Sequence, residues 1–83
     1  MVNSVVHTAK FDRAVRKLKD AAIRERIKIQ ICEIVEKPDI GKPLRFNRKG
    51  ERTVWVPPFR IIYCVIGDEL HLLDFEKRDV VYR

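Results

Sequence analysis

The chain has 83 residues, 46% hydrophobic and 36% charged, with a net charge of +6, a balance that fits one small globular domain over residues 1–83 and excludes a disordered acidic tail. A chain this short buries only about 60–65% of its unfolded surface, so its core is thin. No apolar run approaches the roughly 18 residues of a membrane span, and "MVNSVVHTAKF" lacks the basic head and long apolar stretch of a signal peptide, so a cytoplasmic protein with no membrane partner is expected.

The first predicted element is a strand over residues 3–7, carrying Val5 and Val6. Thr8 then offers a helix N-cap, followed by Phe11, Ala14, Val15 and Leu18 at helical spacing. Asp20 is placed to end this helix and cap the next. Ile23, Ile27, Ile31, Ile34 and Val35 form a long apolar stripe, with Arg24, Arg26, Lys28 and Glu33 mostly elsewhere on the cylinder. Lys37-Pro38-Asp39 stops it, because proline disfavours helix in the residue before it.

The period then changes. "PLRFNR" is predicted as a strand, "RKGE" as a turn and "RTVWV" as a second strand. Pro57-Pro58 is expected to interrupt pairing, since neither residue donates a ladder hydrogen bond. "FRIIYCVI", a Gly67-Asp68 hairpin turn and "ELHLLDF" complete the pattern. The order β-α-α-β-β-β-β defines an α+β fold: a two-helix hairpin packed on one face of a mainly antiparallel sheet. Alternation puts Phe59, Ile61, Tyr63 and Val65 on one side of the penultimate strand and Arg60, Ile62, Cys64 and Ile66 on the other, without telling which side meets the helices.

Charge is unevenly placed. Residues 38–60 carry six basic groups (Lys42, Arg45, Arg48, Lys49, Arg52 and Arg60) against Asp39 and Glu51, whereas residues 61–83 carry three against five. A one-sided block of this kind either attracts a polyanion or forms a solvated surface. Cys32 and Cys64 fall in apolar segments without metal-ligand spacing, which predicts buried, reduced thiols. His7 and His71, the latter expected on the face of Leu73 and Phe75, read as packed or hydrogen-bonded residues, and Trp55 either stacks on a base or, as is commoner for an aromatic in a small sheet, packs in the core. No metal cluster, phosphate-binding glycine loop or Ser-His-Asp set is visible, so no cofactor and no metal are expected.

The element order, "GKPLR" after the second helix, and "FRIIYCVIGDEL", which is similar to a recurrent "YRVIYEVDGD" pattern, together resemble the RelE/ParE superfamily of toxins from toxin–antitoxin pairs. The ending "KRDVVYR" likewise resembles that family's "HRSEVY" terminus. The resemblance spans essentially the whole chain. It implies a curved sheet whose concave face meets RNA, and cleavage of messenger RNA in the ribosomal A site by the RelE branch. ParE-branch members poison DNA gyrase instead, and a degenerate member would only bind RNA or its antitoxin. The implied partners are a cognate RelB-like antitoxin from the same operon, the ribosome and mRNA.

Such cleavage activates a ribose 2′-OH against the neighbouring phosphate, which requires a base, a stabiliser of the added negative charge and an acid for the leaving oxygen. By resemblance Arg60 and Arg78 stabilise the phosphate, Lys77 is the proton donor, and Tyr82 stacks on a base or orients the hydroxyl. Arg60 also reads as a strand-end arginine that snorkels to solvent or pairs with a carboxylate, and Tyr82 as a packing residue. Arg45, Arg48, Lys49 and Arg52 are expected to bind the RNA backbone. Some RelE members place a lysine base on the third strand, but here that stretch is Arg52-Thr53-Val54-Trp55. Glu51 or Lys49 would have to substitute, and the base is left open.

Overall fold

The computed structural model describes residues 2–77. Among them a strand, β1 (Ser4–His7), leads into α1 (Ala9–Arg16) and α2 (Ala21–Glu36), followed by β2 (Lys42–Pro43), β3 (Arg52–Val56), β4 (Phe59–Ile66) and β5 (Glu69–Lys77). The sheet order is β1-β5-β4-β3-β2. β1 runs parallel to β5, and the remaining pairs are antiparallel. The expected α+β fold is therefore observed, with two helices on one face of a mainly antiparallel sheet. No described helix is long and apolar enough to cross a membrane.

Local chemistry sets the boundaries. The Thr8 hydroxyl accepts from the Phe11 N–H at 3.2 Å and starts α1. Asp20 caps α2 by accepting from Ala22 and Ile23, while α1 already ends at Arg16. Between them, the Arg24 guanidinium donates to the Leu18 carbonyl and ties off the linking turn. Ile23, Ile27 and Ile34 are buried from α2 and Phe11 from α1, against Val54, Val56, Ile61, Tyr63, Leu70, Leu72 and Phe75 of the sheet. Phe59, Ile61 and Tyr63 thus face the helices, and Arg60, Ile62 and Cys64 lie on the other, open face.

Three expectations are corrected. The predicted strand "PLRFNR" is a two-residue strand, Lys42–Pro43, followed by a tight turn at Phe46–Arg48. Phe46 sits there at φ 60°, a left-handed conformation incompatible with a strand. Pro57-Pro58 does not interrupt pairing: it is the two-residue hairpin turn itself, with Val56 opposite Phe59, and its missing donors fall where the ladder needs none. His71 does not share a face with Phe75. Ile62 pairs with Asp74 and Tyr63 with Leu72, so Leu73 is a bulge, and one extra residue reverses the facing of everything after it.

That bulge is anchored by Thr8. Its hydroxyl lies 2.8 Å from the Leu72 carbonyl oxygen and 3.1 Å from that of Leu73, and its N–H donates to Leu72 at 3.2 Å. One residue therefore ends β1, caps α1 and satisfies the bulge. Beyond it Phe75 enters the core, stacked on Phe59 at 4.7 Å and edge-on to Phe11 at 6.4 Å. Replacing Thr8 by valine keeps the volume and removes the hydroxyl. A loss of about 1–2 kcal/mol is expected, measured as a lowered urea midpoint with an unchanged m-value.

Candidate functional site

The open face is organised in cross-strand rows. Trp55 on β3, Arg60 on β4 and Glu76 on β5 occupy one row, and Thr53, Ile62 and Asp74 the next. Arg60 directs its Nε and Nη2 to a single oxygen, Glu76 Oε1, at 2.8 and 2.5 Å. Both side chains are part-exposed, at 20% and 36%. The charge that breaks the apolar strand is thus oriented by a carboxylate and presented to solvent. Trp55 lies beside it and is 48% exposed, a correction to its expected place in the core. As the outward member of an alternating strand whose inward members are Val54 and Val56, it has no helix to pack on.

Asp74 is the one described buried charged residue. Its Oδ1 accepts from the Phe75 N–H at 2.8 Å, and its Oδ2 lies 3.3 Å from Lys10 Nζ. Farther along, His71 pairs across from Cys64, with its Nε2 3.2 Å from Glu69 Oε1. The floor between is apolar: Ile62 is fully buried, flanked by Thr53 and Asp74. Burial, with a smaller push from Glu51, raises the Cys64 thiol above its ordinary range, so it stays protonated rather than nucleophilic. Cys32, expected to be buried, is exposed on α2; both thiols are free.

The predicted residues separate into groups. Lys77 pairs with Phe59, so its register places it on the helix side of the sheet, opposite to Arg60. Arg78 and Tyr82 lie outside the described residues. Arg52 pairs with Tyr63 on the helix side and donates Nη1 to the carbonyls of Gly41 (2.7 Å) and Asp39 (3.2 Å), holding the loop after α2. Arg48 bonds Glu51 at 3.0 Å within its own turn. Arg45 and Lys49 are exposed on that turn. The structure therefore brings Arg60 to Glu76 and Trp55, and gathers Arg45, Arg48 and Lys49 at the opposite end of β3. Glu76 was missed in the sequence because alternation counted from Leu70 and Leu72 puts it in the core. The doubled Leu72-Leu73 is the signal that could have revealed the bulge.

Solved structures with the same architecture support the fold assignment. A chain of the RelBE2 toxin–antitoxin complex from Mycobacterium tuberculosis superposes with a TM-score of 0.79 at 20% identity, over 94% of this chain and 100% of that one. A chain of the intact RelBE toxin–antitoxin complex from E. coli gives 0.77 at 19%, over 92% and 96%. YafQ from E. coli gives 0.63 at 20%, over 94% of each chain. No family model matches the sequence, and no curated protein does. The chain has the RelE-like toxin fold.

Tyr63 fixes the frame of the site from behind. Its hydroxyl donates to the Pro38 carbonyl at 2.6 Å and accepts from the Gly41 N–H at 2.9 Å. Gly41 is required by this approach: a Cβ there would lie 2.4 Å from the Tyr63 oxygen. Burial raises the Tyr63 pKa above the ordinary 10.0, against the lowering effects of the Gly41 hydrogen bond and Arg52, with a further rise from Asp39. Below pH 10 both folded and unfolded chains keep the proton. Above it the unfolded chain ionises first and binds fewer protons, so stability falls as pH rises through the native value. Alkaline titration of the urea midpoint is expected to show this decline in the wild type and a flatter profile in Tyr63→Phe. At neutral pH the same variant loses about 1–3 kcal/mol from the orphaned Gly41 N–H.

Proposed function

We propose that this chain is the toxin of a toxin–antitoxin pair and acts as a metal-independent endoribonuclease that cuts mRNA in the ribosomal A site. The reading is carried by Arg60, oriented by Glu76 on the open face of a sheet with the RelE-like fold. The fold's occurrence in toxin–antitoxin complexes supports a cognate RelB-like antitoxin as partner.

In this mechanism the scissile phosphate binds over Arg60, whose planar fork supplies parallel donors to phosphate oxygens. Glu76 accepts the 2′-OH proton on Oε2, the oxygen that Arg60 does not engage. The freed 2′-oxygen bonds to phosphorus, the bond from phosphorus to the 5′-oxygen breaks, and the leaving oxygen takes a proton from an acid. Arginine cannot accept the initial proton, so a carboxylate in hydrogen-bond contact with it supplies what the third strand lacks. Trp55 offers a ring for an adjacent base. By family resemblance Arg78 adds phosphate contact and Tyr82 stacks or orients the hydroxyl, whereas Lys77, the proton donor the resemblance implies, stands on the side of the sheet opposite to Arg60 and is not assigned the step.

A second reading is favoured by the charge of the same face. Glu69, Asp74 and Glu76 line β5 there against Arg60 and, on β2, Lys42, so the face is not a cationic groove. A protein-binding inhibitor of the ParE kind, blocking gyrase without chemistry, accommodates that balance.

Message mapping in an in vitro translation reaction separates the two. Arg60→Ala and Glu76→Gln are each expected to reduce A-site cleavage about 10²–10³-fold, with circular dichroism unchanged. Full translation in the presence of wild-type protein, together with inhibited supercoiling, would overturn the nuclease reading in favour of the second.

A further inference from the structure

The turn between β2 and β3 carries the most exposed large apolar residue described, Phe46, at 90% exposure. Its φ of 60° is a conformation that bulky residues rarely adopt. Glycine or asparagine would occupy it at less strain, so packing and backbone preference both argue against phenylalanine here. The turn is nevertheless tightly built. Arg48 N–H donates to Arg45, Lys49 to Phe46 and Glu51 to Arg48, while Leu44 N–H closes the base on Glu51. Arg48 is pinned to Glu51 by its side chain as well. A rigid, hydrogen-bonded turn thus holds an aromatic ring in solvent.

Cations flank that residue in the chain. Arg45 immediately precedes it, and Asn47, Arg48 and Lys49 follow; Arg45, Asn47 and Lys49 are exposed. The acidic group of the turn, Glu51, is occupied by Arg48. This combination, an exposed aromatic side chain on a short turn that also carries two exposed cations and an exposed amide, matches one kind of ligand: an unpaired base with its flanking phosphates. We propose that residues 45–49 form a docking finger for single-stranded RNA, in which Phe46 stacks on a splayed base and Arg45 and Lys49 hold the phosphates on either side. An apolar protein segment would leave the two cations unmatched. The finger stands at the Arg52 end of β3, whereas Arg60 pairs with Trp55 about 10 Å along the strand, so an RNA strand along β3 reaches both.

The inference extends the proposed function by adding a site for the same class of ligand, but depends on neither the ribosome nor cleavage. It is tested off the ribosome, by fluorescence anisotropy with a labelled single-stranded RNA oligonucleotide. Phe46→Ala is expected to weaken binding about 5- to 150-fold, with the melting temperature unchanged and the salt slope kept. Phe46→Trp keeps the affinity that Phe46→Ala loses. Lys49→Gln instead lowers the slope of log affinity against log salt by about 0.7. Equal affinity of Phe46→Ala and wild type overturns the finger, as does wild-type protein that does not bind the oligonucleotide. So does a Phe46→Ala defect confined to binding an acidic antitoxin segment, which would make this a protein-docking turn. A wild-type protein that binds RNA through Phe46 yet cuts no message refutes the nuclease reading and retains the finger. One that cuts normally while Phe46→Ala binds normally refutes the finger alone.

Discussion

Much of this molecule depends on one extra residue in the last strand and on the threonine that holds it there. If β5 alternated without interruption from Leu70 and Leu72, Asp74 and Glu76 would point into the helices and Phe75 into solvent. Two carboxylates set unpaired among the apolar core side chains are not sustainable, whereas Asp74 as placed is buried beside the Lys10 ammonium, and the Phe11–Phe75–Phe59 aromatic cluster would be lost. The bulge at Leu73 resolves both at once, at the expense of irregular backbone whose carbonyls need partners. Thr8 supplies its hydroxyl and its N–H to them at the point where the chain turns from β1 into α1. The parallel strand, the first helix and the facing of the site are therefore set together.

A second constraint fixes which cations are free to work. Gly41, which ends the loop between α2 and β2, is buried against Tyr63, and the loop's carbonyls take donors from the sheet. Tyr63 serves Pro38, and Arg52 serves Gly41 and Asp39. An arginine committed to backbone carbonyls on the helix side is a structural element, however basic its neighbourhood looks in one dimension. Arg48 is likewise engaged by Glu51 and Lys10 lies by Asp74. The basic excess of the middle segment is thus divided between braces and exposed groups.

The parts legible in the sequence were those governed by local chemistry. Thr8 and Asp20 cap helices because their side chains reach N–H groups two or three residues on, and the Ile23–Ile27–Ile34 stripe follows from helical period alone. The β3, β4 and β5 strands announced themselves as short β-branched and aromatic runs bounded by turn signals, and Arg60 by interrupting an apolar one. What stayed hidden depended on partners distant in sequence. The Leu73 bulge is stabilised by a residue more than sixty positions away. Trp55 is exposed because no helix covers its side of the sheet. β2 is short because Phe46 turns left-handed, and nothing in "PLRFNR" indicates that. The role of Arg52 required knowing that the 38–41 loop folds back over Tyr63.

These placements separate attraction from chemistry. On the open face Arg60 has Glu76 beside it, and Asp74 is reached by Lys10 of α1, while the exposed Lys42 of β2 stands in register with Thr53. Paired charges orient groups with good geometry but draw a polyanion weakly, since the field of each is largely cancelled a few ångströms away. A face of this kind suits a reaction in which a base must stand beside a stabilising cation, because the pairing that weakens long-range attraction also holds both groups in register. The electrostatic pull then comes from the exposed Lys42, Arg45 and Lys49, toward the Arg52 end of β3. A strand between the two ends would present one surface that captures and another that acts, with β3 as the rigid spacer between them.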